Sequence, residues 1–216
     1  MATLQDAQEQ RILLRNVAWD TYERLLVERE ENSAPRFTYD QGVLEIMSPL
    51  LSEHEQYGDD IRFLVRILAE ELGIPVKGFG SMTLRREDIQ GGLEPDACFY
   101  FQNVGRILGK RRLDLQVDPP PDLAVEVDIT NPSLDKLSIY ARLGVPEVWR
   151  YDARRVTIHT LEGDRYTESL DSRVLHGVTA DALTILMEES KASESTAWAR
   201  RVREWALRLG GADGRR

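Results

Sequence analysis

Near the start of the chain Trp19, Tyr22, Leu25 and Leu26 recur at helical spacing with charges between them, which predicts an amphipathic helix over 16–31. Two short strands, 36–40 and 43–47, are expected next, and the Asp40-Gln41-Gly42 segment between them is a hairpin signal. A second helix should begin after Ser52. Its stripe of Tyr57, Ile61, Leu64, Val65, Leu68 and Leu72 stops at Gly73, with Pro75 beyond. From Val76 the period changes to two, and strands are expected over 82–86 and 93–101. In the second of these Asp96, Cys98 and Tyr100 share one face, and Ala97, Phe99 and Phe101 share the other.

The stiff connector Asp118-Pro-Pro-Pro-Asp122 leads to the most apolar strand of the chain, 123–130. Leu123, Val125, Val127 and Ile129 form one face of it, and Ala124, Glu126 and Asp128 form the other. Asn131-Pro132-Ser133 breaks the strand and opens a helix to about Leu143, with Gly144 as its stop. A strand pair follows at 147–151 and 155–161, with a further edge at 165–169 and two closing helices at 180–191 and 194–209. In the last helix Trp198, Val202, Trp205 and Leu209 form a stripe that must pack on its own domain or on a second subunit. The order of elements predicts one α/β domain: a mixed β-sheet flanked by helices, with an N-terminal helix and hairpin and a C-terminal helical extension.

Composition narrows the function classes. The 216 residues include 37 Asp plus Glu against 28 Lys plus Arg, a formal charge of -9. Such a chain does not coat nucleic acid; a polyanion would have to meet a local basic patch or a bound metal that offsets the carboxylates. The one cysteine, Cys98, excludes an internal disulfide and a cysteine-rich zinc site and reads as a small core residue. No apolar run approaches the roughly 18 residues that span a bilayer, and the first residues are too polar for a secretory signal, so a cytoplasmic location is expected.

The chemistry lies in three carboxylates and a lysine. Strand alternation puts Glu126 and Asp128 on one face about 7 Å apart. On a strand this apolar, two carboxylates are costly unless something cationic lies between them, and a hard divalent ion such as Mg²⁺ is the natural candidate. Glu94-Pro95-Asp96 in the preceding strand offers a third acid, with Pro95 suiting a bend that aims Asp96 at the same point. Lys136 follows ten residues after Glu126, at the start of the next helix, from which an ammonium can reach back over the end of the strand. It is one of only four lysines, with Lys77, Lys110 and Lys191. Arg85, Arg86, Arg106, Lys110, Arg111 and Arg112 are candidates for the local basic patch a DNA substrate needs, although ordinary solvated loops account for them equally well.

These residues, together with Tyr140-Ala141-Arg142-Leu143-Gly144-Val145-Pro146-Glu147-Val148-Trp149, Gly80-Ser81-Met82-Thr83-Leu84-Arg85-Arg86 and Leu44-Glu45-Ile46-Met47-Ser48-Pro49, resemble the Uma-type restriction endonuclease family, a branch of the PD-(D/E)xK nuclease superfamily. The resemblance covers about 16–190 and implies a restriction-endonuclease-like domain there, with 191–216 as an amphipathic helix and tail. It implies that Asp96 and Glu126 are metal ligands. Two residues after Glu126, where the superfamily motif carries its lysine, this chain has Asp128, and Lys136 is the replacement. Asp128 is then either a further metal ligand or a residue that orients Lys136. Superfamily members often recruit a glutamate from the first core helix, which implies Glu53, placed inward on the helical wheel where the helix dipole favours a carboxylate. His54, at the other edge of that face, reads as a hydrogen-bonded, half-buried histidine. Glu45 reads as a structural carboxylate ahead of a site residue, and His159 and His176 have no metal-ligand spacing.

The expected function is Mg²⁺-dependent (or Mn²⁺-dependent) hydrolysis of DNA by a metal-activated water, with Asp96, Glu126, Lys136 and Asp128 as catalytic residues. Asp96, Glu126, Asp128 and Glu53 are the expected metal ligands, and Arg85, Arg86, Lys110 and Arg111 the expected DNA contacts. The aromatic C-terminal stripe admits a homodimer. The competing expectation is a nuclease fold kept as a DNA-binding or assembly module with little or no catalysis.

Overall fold

The hairpin signal at Gln41-Gly42 is realised as a two-residue turn with φ of 46° and 89°, the left-handed pair that matches the twist of flanking strands. It joins β2 (Arg36–Asp40) to β3 (Val43–Ser48) in a register that pairs Asp40 with Val43. The protein is represented by a computed structural model that describes residues 10–29, 35–48, 52–110, 112–128 and 134–213. On the other side of β3 lies β1 (Gln10–Arg15), a strand the sequence pattern does not announce, and β6 (Gly91–Leu93) and β5 (Leu84–Arg86) complete an antiparallel sheet in the order β1-β3-β2-β6-β5. Helix α1 (Trp19–Glu28) buries Trp19 and Tyr22 against Phe37, Tyr39 and Leu44 of this sheet, where Tyr22 stacks on Tyr39 at 4.9 Å between ring centroids.

The second sheet is mixed and has the order β11-β10-β9-β8-β7-β4. Its strands are β4 (Lys77–Phe79), β7 (Ala97–Tyr100), β8 (Leu123–Val127), β9 (Glu147–Tyr151), β10 (Val156–Glu162) and β11 (Arg165–Ser169). Only β8 and β9 run parallel, joined through α4 (Lys136–Leu143). The α/β class is as expected, but the strands form two sheets rather than one. The division falls inside the expected strand 93–101: its start belongs to β6 and its end to β7, and Glu94-Pro95-Asp96 carries the chain between the sheets. Proline cannot donate to a ladder, so the break comes where a ladder hydrogen bond would have been lost.

Strand β8 is buried on both faces, as its alternation demands. Leu123, Val125 and Val127 enter the main core with Ile61, Leu64 and Leu68 of α2 (Ser52–Glu71) and with Trp149 of β9. The same core takes Leu183 and Met187 of α5 (Ala180–Lys191) and Trp198 and Val202 of α6 (Ser195–Asp213). The aromatic stripe of the last helix is thus consumed inside the chain, and Trp198 Nε1 donates to the Leu186 carbonyl at 2.7 Å. The opposite face, with Ala124 and Val148, meets Ile139, Tyr140 and Leu143 of α4 in a smaller core. The helix opens on Asp135, which accepts a hydrogen bond from the Leu137 amide at 3.2 Å, and closes at Gly144 with φ of 78°, the left-handed conformation that favours glycine at a C-cap.

In the expected basic loop, α3 (Val104–Ile107) forms, and the two aspartates of the Asp118-Pro-Pro-Pro-Asp122 connector are structural. Asp122 accepts hydrogen bonds from the amides of Phe101, Gln102 and Asn103 at 2.7, 3.0 and 3.3 Å. Among the described residues no helix is long and apolar enough to cross a membrane.

Candidate active site

The antiparallel register of β7 and β8 pairs Ala97 with Val125, so one step further it sets Asp96 across from Glu126. Residues opposed in this way share a face. The ladder continues there, since the Asp96 amide donates to the Val125 carbonyl at 3.0 Å and the Val127 amide donates to Asp96 Oδ2 at 2.7 Å. On the other side, the parallel register sets Arg150 of β9 beside Glu126. Three strands therefore bring two buried carboxylates and a guanidinium to the face covered by α4.

Helix α4 supplies the rest. Lys136, its first residue, donates from Nζ to Glu126 Oε2 at 2.6 Å, and Tyr140, one turn later on the same helix face, donates from its hydroxyl to Oε1. Arg150 Nε donates to Asp128 Oδ2 at 2.9 Å. Arg36, at the start of β2 in the other sheet, donates from Nη1 to Asp96 Oδ1, and His54 Nε2 stands 3.6 Å from that same oxygen. A small cleft lined by Asp128, Leu134, Lys136, Val148 and Arg150 opens beside the Glu126 carboxylate.

The electrostatics follow from burial and partners. Burial works against the Asp96 carboxylate, but Arg36, His54, Lys136 and the Val127 amide outweigh it and hold its pKa below the usual value. Glu126 is pushed up to about 7, first by burial and then by its neighbours Asp96 and Asp128, against the pull of Lys136. Burial alone would depress Lys136, but Glu126, Asp128 and Asp96 raise it to about 12, so it is an ammonium at neutral pH and a donor rather than a base.

Asp96, Glu126, Asp128 and Lys136 are thus gathered at one place. Glu53 falls in the first turn of α2, and its side chain lies outside the described residues, as does Arg111 altogether. Of the other basic candidates, Arg85 pairs with Glu23 at 2.6 Å, Arg86 with Asp88, and Lys110 with Asp118. Arg85 and Arg86 are neighbours on β5 and Lys110 lies beyond α3, and each stands beside an acid of its own. His54 is largely buried, but among the described residues its Nδ1 has no hydrogen-bond partner, unlike the hydrogen-bonded histidine expected. Glu45 is buried beside Arg11, at 3.8 Å, in the five-stranded sheet. Glu94 is spent on Arg29, with Nη1 at 3.0 Å, and on the Thr83 hydroxyl at 3.2 Å.

Three site residues escape the sequence reading. Tyr140 carries a usable signal, four positions after Lys136 and therefore on its helix face. Arg150 and Arg36 carry none, because strand pairing and the meeting of two sheets bring them in.

The donor chemistry suits a hard divalent cation. Mg²⁺ typically takes one or two protein carboxylates and completes its shell with water and substrate phosphate, and Asp96 and Glu126 provide such a pair. Among the described residues no three of His, Cys, Asp or Glu form a ready-made ligand set.

No curated protein matches the chain. Among solved structures, a putative nuclease belonging to DUF820 from Anabaena variabilis ATCC 29413 is similar to it, at 14% identity and a TM-score of 0.49 over 75% of this chain and 96% of that one. The sequence profile of the Uma2 family, described as putative restriction endonucleases, matches residues 19–184. With more than half of its length matched, the chain belongs to the Uma2 family.

Proposed function

We propose that the protein is a divalent-metal-dependent endodeoxyribonuclease that hydrolyses DNA phosphodiester bonds. The observation that carries the reading is the Lys136 ammonium 2.6 Å from Glu126, on the face where Asp96 opposes Glu126. Asp96 and Glu126 would hold Mg²⁺ or Mn²⁺. What such an ion supplies when bound is charge to offset the phosphoryl oxygens and a water made acidic enough to act as nucleophile. Lys136, charged at neutral pH, orients that water or steadies the negative charge that develops on the phosphate. Tyr140 holds the Glu126 carboxylate in place, and Arg150 draws Asp128 toward β9, which favours an orienting role for Asp128. Arg85, Arg86, Lys110 and Arg111 are the candidate contacts to the DNA backbone, the first three exchanging carboxylate partners for phosphates.

The test is cleavage of plasmid and linear DNA with Mg²⁺ or Mn²⁺, beside Asp96→Ala and Lys136→Ala. The proposal expects both substitutions to remove the activity, and cleavage that survives them overturns it. One observation favours the second reading, a nuclease fold used for binding or assembly: Asp96, Glu126 and Asp128 each have a cation of the chain itself, in Arg36, Lys136 and Arg150. Calorimetric titration with Mn²⁺ separates the two, since the enzyme must take up the ion and the binding module need not.

A further inference from the structure

Arg36 differs from the other cations of the site in where it comes from and in how it is held. Lys136 and Arg150 belong to elements that flank β8, whereas Arg36 opens β2 of the other sheet and crosses to Asp96. Its Nη1 meets Oδ1, the one Asp96 oxygen not taken by the Val127 amide. Its other terminal nitrogen, Nη2, lies 3.8 Å from Glu55 Oε1, a loose contact with a side chain that is 60% exposed. The guanidinium is therefore anchored firmly at its inner end and weakly at its outer end, beside an open carboxylate.

A divalent ion bound at Asp96 Oδ1 would crowd the Arg36 guanidinium that donates to the same oxygen, and two cations there repel each other. Once displaced, the guanidinium stays tethered near the ion. A planar fork of N–H donors is the side chain best matched to phosphate oxygens. We infer that Arg36 fills the cation position on Asp96 in the ion-free protein, and that it turns to the phosphate of the nucleic acid when a divalent ion takes its place. The inference rests on the reading of Asp96 as a metal ligand. It assigns Arg36 two linked roles, competitor of the ion and contact to the substrate.

The two roles give a pattern that a merely structural arginine would not. Mn²⁺ is titrated into the full chain without DNA, followed by the electron paramagnetic resonance of the free ion, for the wild type, Arg36→Gln, Arg36→Lys and Asp96→Asn. Binding to a labelled duplex is measured in parallel with Ca²⁺. Arg36→Gln should bind Mn²⁺ about tenfold more tightly than the wild type, which is about 1.4 kcal/mol, and bind the duplex about tenfold more weakly. Its melting temperature should be lowered in EDTA and gain more from Mn²⁺ than that of the wild type. Arg36→Lys keeps a charge beside Asp96, so it serves where the glutamine variant does not fold, and its Mn²⁺ affinity should also exceed that of the wild type. If both Arg36 variants bind Mn²⁺ as the wild type does or more weakly, while Asp96→Asn loses it, the metal reading stands and the role of Arg36 is overturned. If neither the wild type nor the Arg36 variants bind Mn²⁺, the metal reading fails and takes the inference with it.

Discussion

Tyr140 donates to Glu126 from within the protein, and the contact pairs a phenol with a carboxylate that has almost no exposure, 2%. Burial first and then Glu126 itself raise the phenol well above its ordinary pKa, so it remains a proton donor throughout the working range. With Lys136 on the second oxygen, one helix face fixes both ends of the carboxylate.

Tyr140→Phe keeps the ring and deletes this donor. A buried acceptor left without its partner costs about 1–3 kcal/mol, so the variant should unfold at lower urea than the wild type. Cleavage should fall but persist, because Lys136 still holds Oε2. Unchanged stability in urea titrations would show that the hydroxyl bears no part of the Glu126 arrangement.

His159 gives the molecule an acid-sensitive element. It sits on β10, where burial and then Arg150 lower its pKa from the model-peptide value of 6.5. A group with a depressed folded-state pKa contributes stability that is present above the unfolded pKa and lost as pH falls through the folded one. Folding stability should therefore decline as pH drops below about 6.5, and His159→Gln should flatten that part of the profile. Urea midpoints between pH 5 and 8 measure it; equal slopes for the two proteins would refute the assignment.

Asp122 should be among the costliest surface-connector substitutions. Its Oδ2 accepts three consecutive backbone amides and its Oδ1 accepts Asn103 Nδ2 at 3.0 Å. Asp122→Ala orphans these donors at the exit of β7, and a loss of about 3 kcal/mol is expected from the price of unsatisfied buried groups. Thermal melting compared with Asp114→Ala, on a carboxylate that accepts the exposed Gln116 amide, isolates the effect.

Trp198 tests how the last helix is used. It is 1% exposed and packs with α2 and α5. Trp198→Ala should destabilise the protein by about 3–5 kcal/mol and leave its oligomeric state unchanged. A change of oligomeric state with little loss of stability would instead place the tryptophan at a subunit contact.

Much of this architecture is legible in the chain. The 3.6-residue stripe of α2, the hairpin turn at Gln41-Gly42 and the Gly144 stop are local patterns, and each forms where the pattern places it; the alternation of β8 is realised over Leu123–Val127, and 129–130 of the expected 123–130 lie outside the described residues. The same alternation puts Glu126 and Asp128 on one face and makes Lys136 stand out by position. Strand β1 is not legible, because Gln-Arg-Ile-Leu-Leu-Arg does not alternate cleanly and is a strand through its pairing with β3. Nor is the division of 93–101 between two sheets. Pro95 signals a bend, and only the partners on either side decide whether a bend continues one sheet or changes to another.

By itself, the sequence determined which side chains share a face and that Glu126 and Asp128 lie on a strongly apolar strand, since both follow from backbone periodicity. Only the tertiary structure decided what neutralises those acids. Arg36 reaches Asp96 across 60 positions and Arg150 reaches Asp128 across 22. Electrostatic pairing depends on distance in space, and no local pattern in the chain encodes which distant strand will arrive beside a given carboxylate.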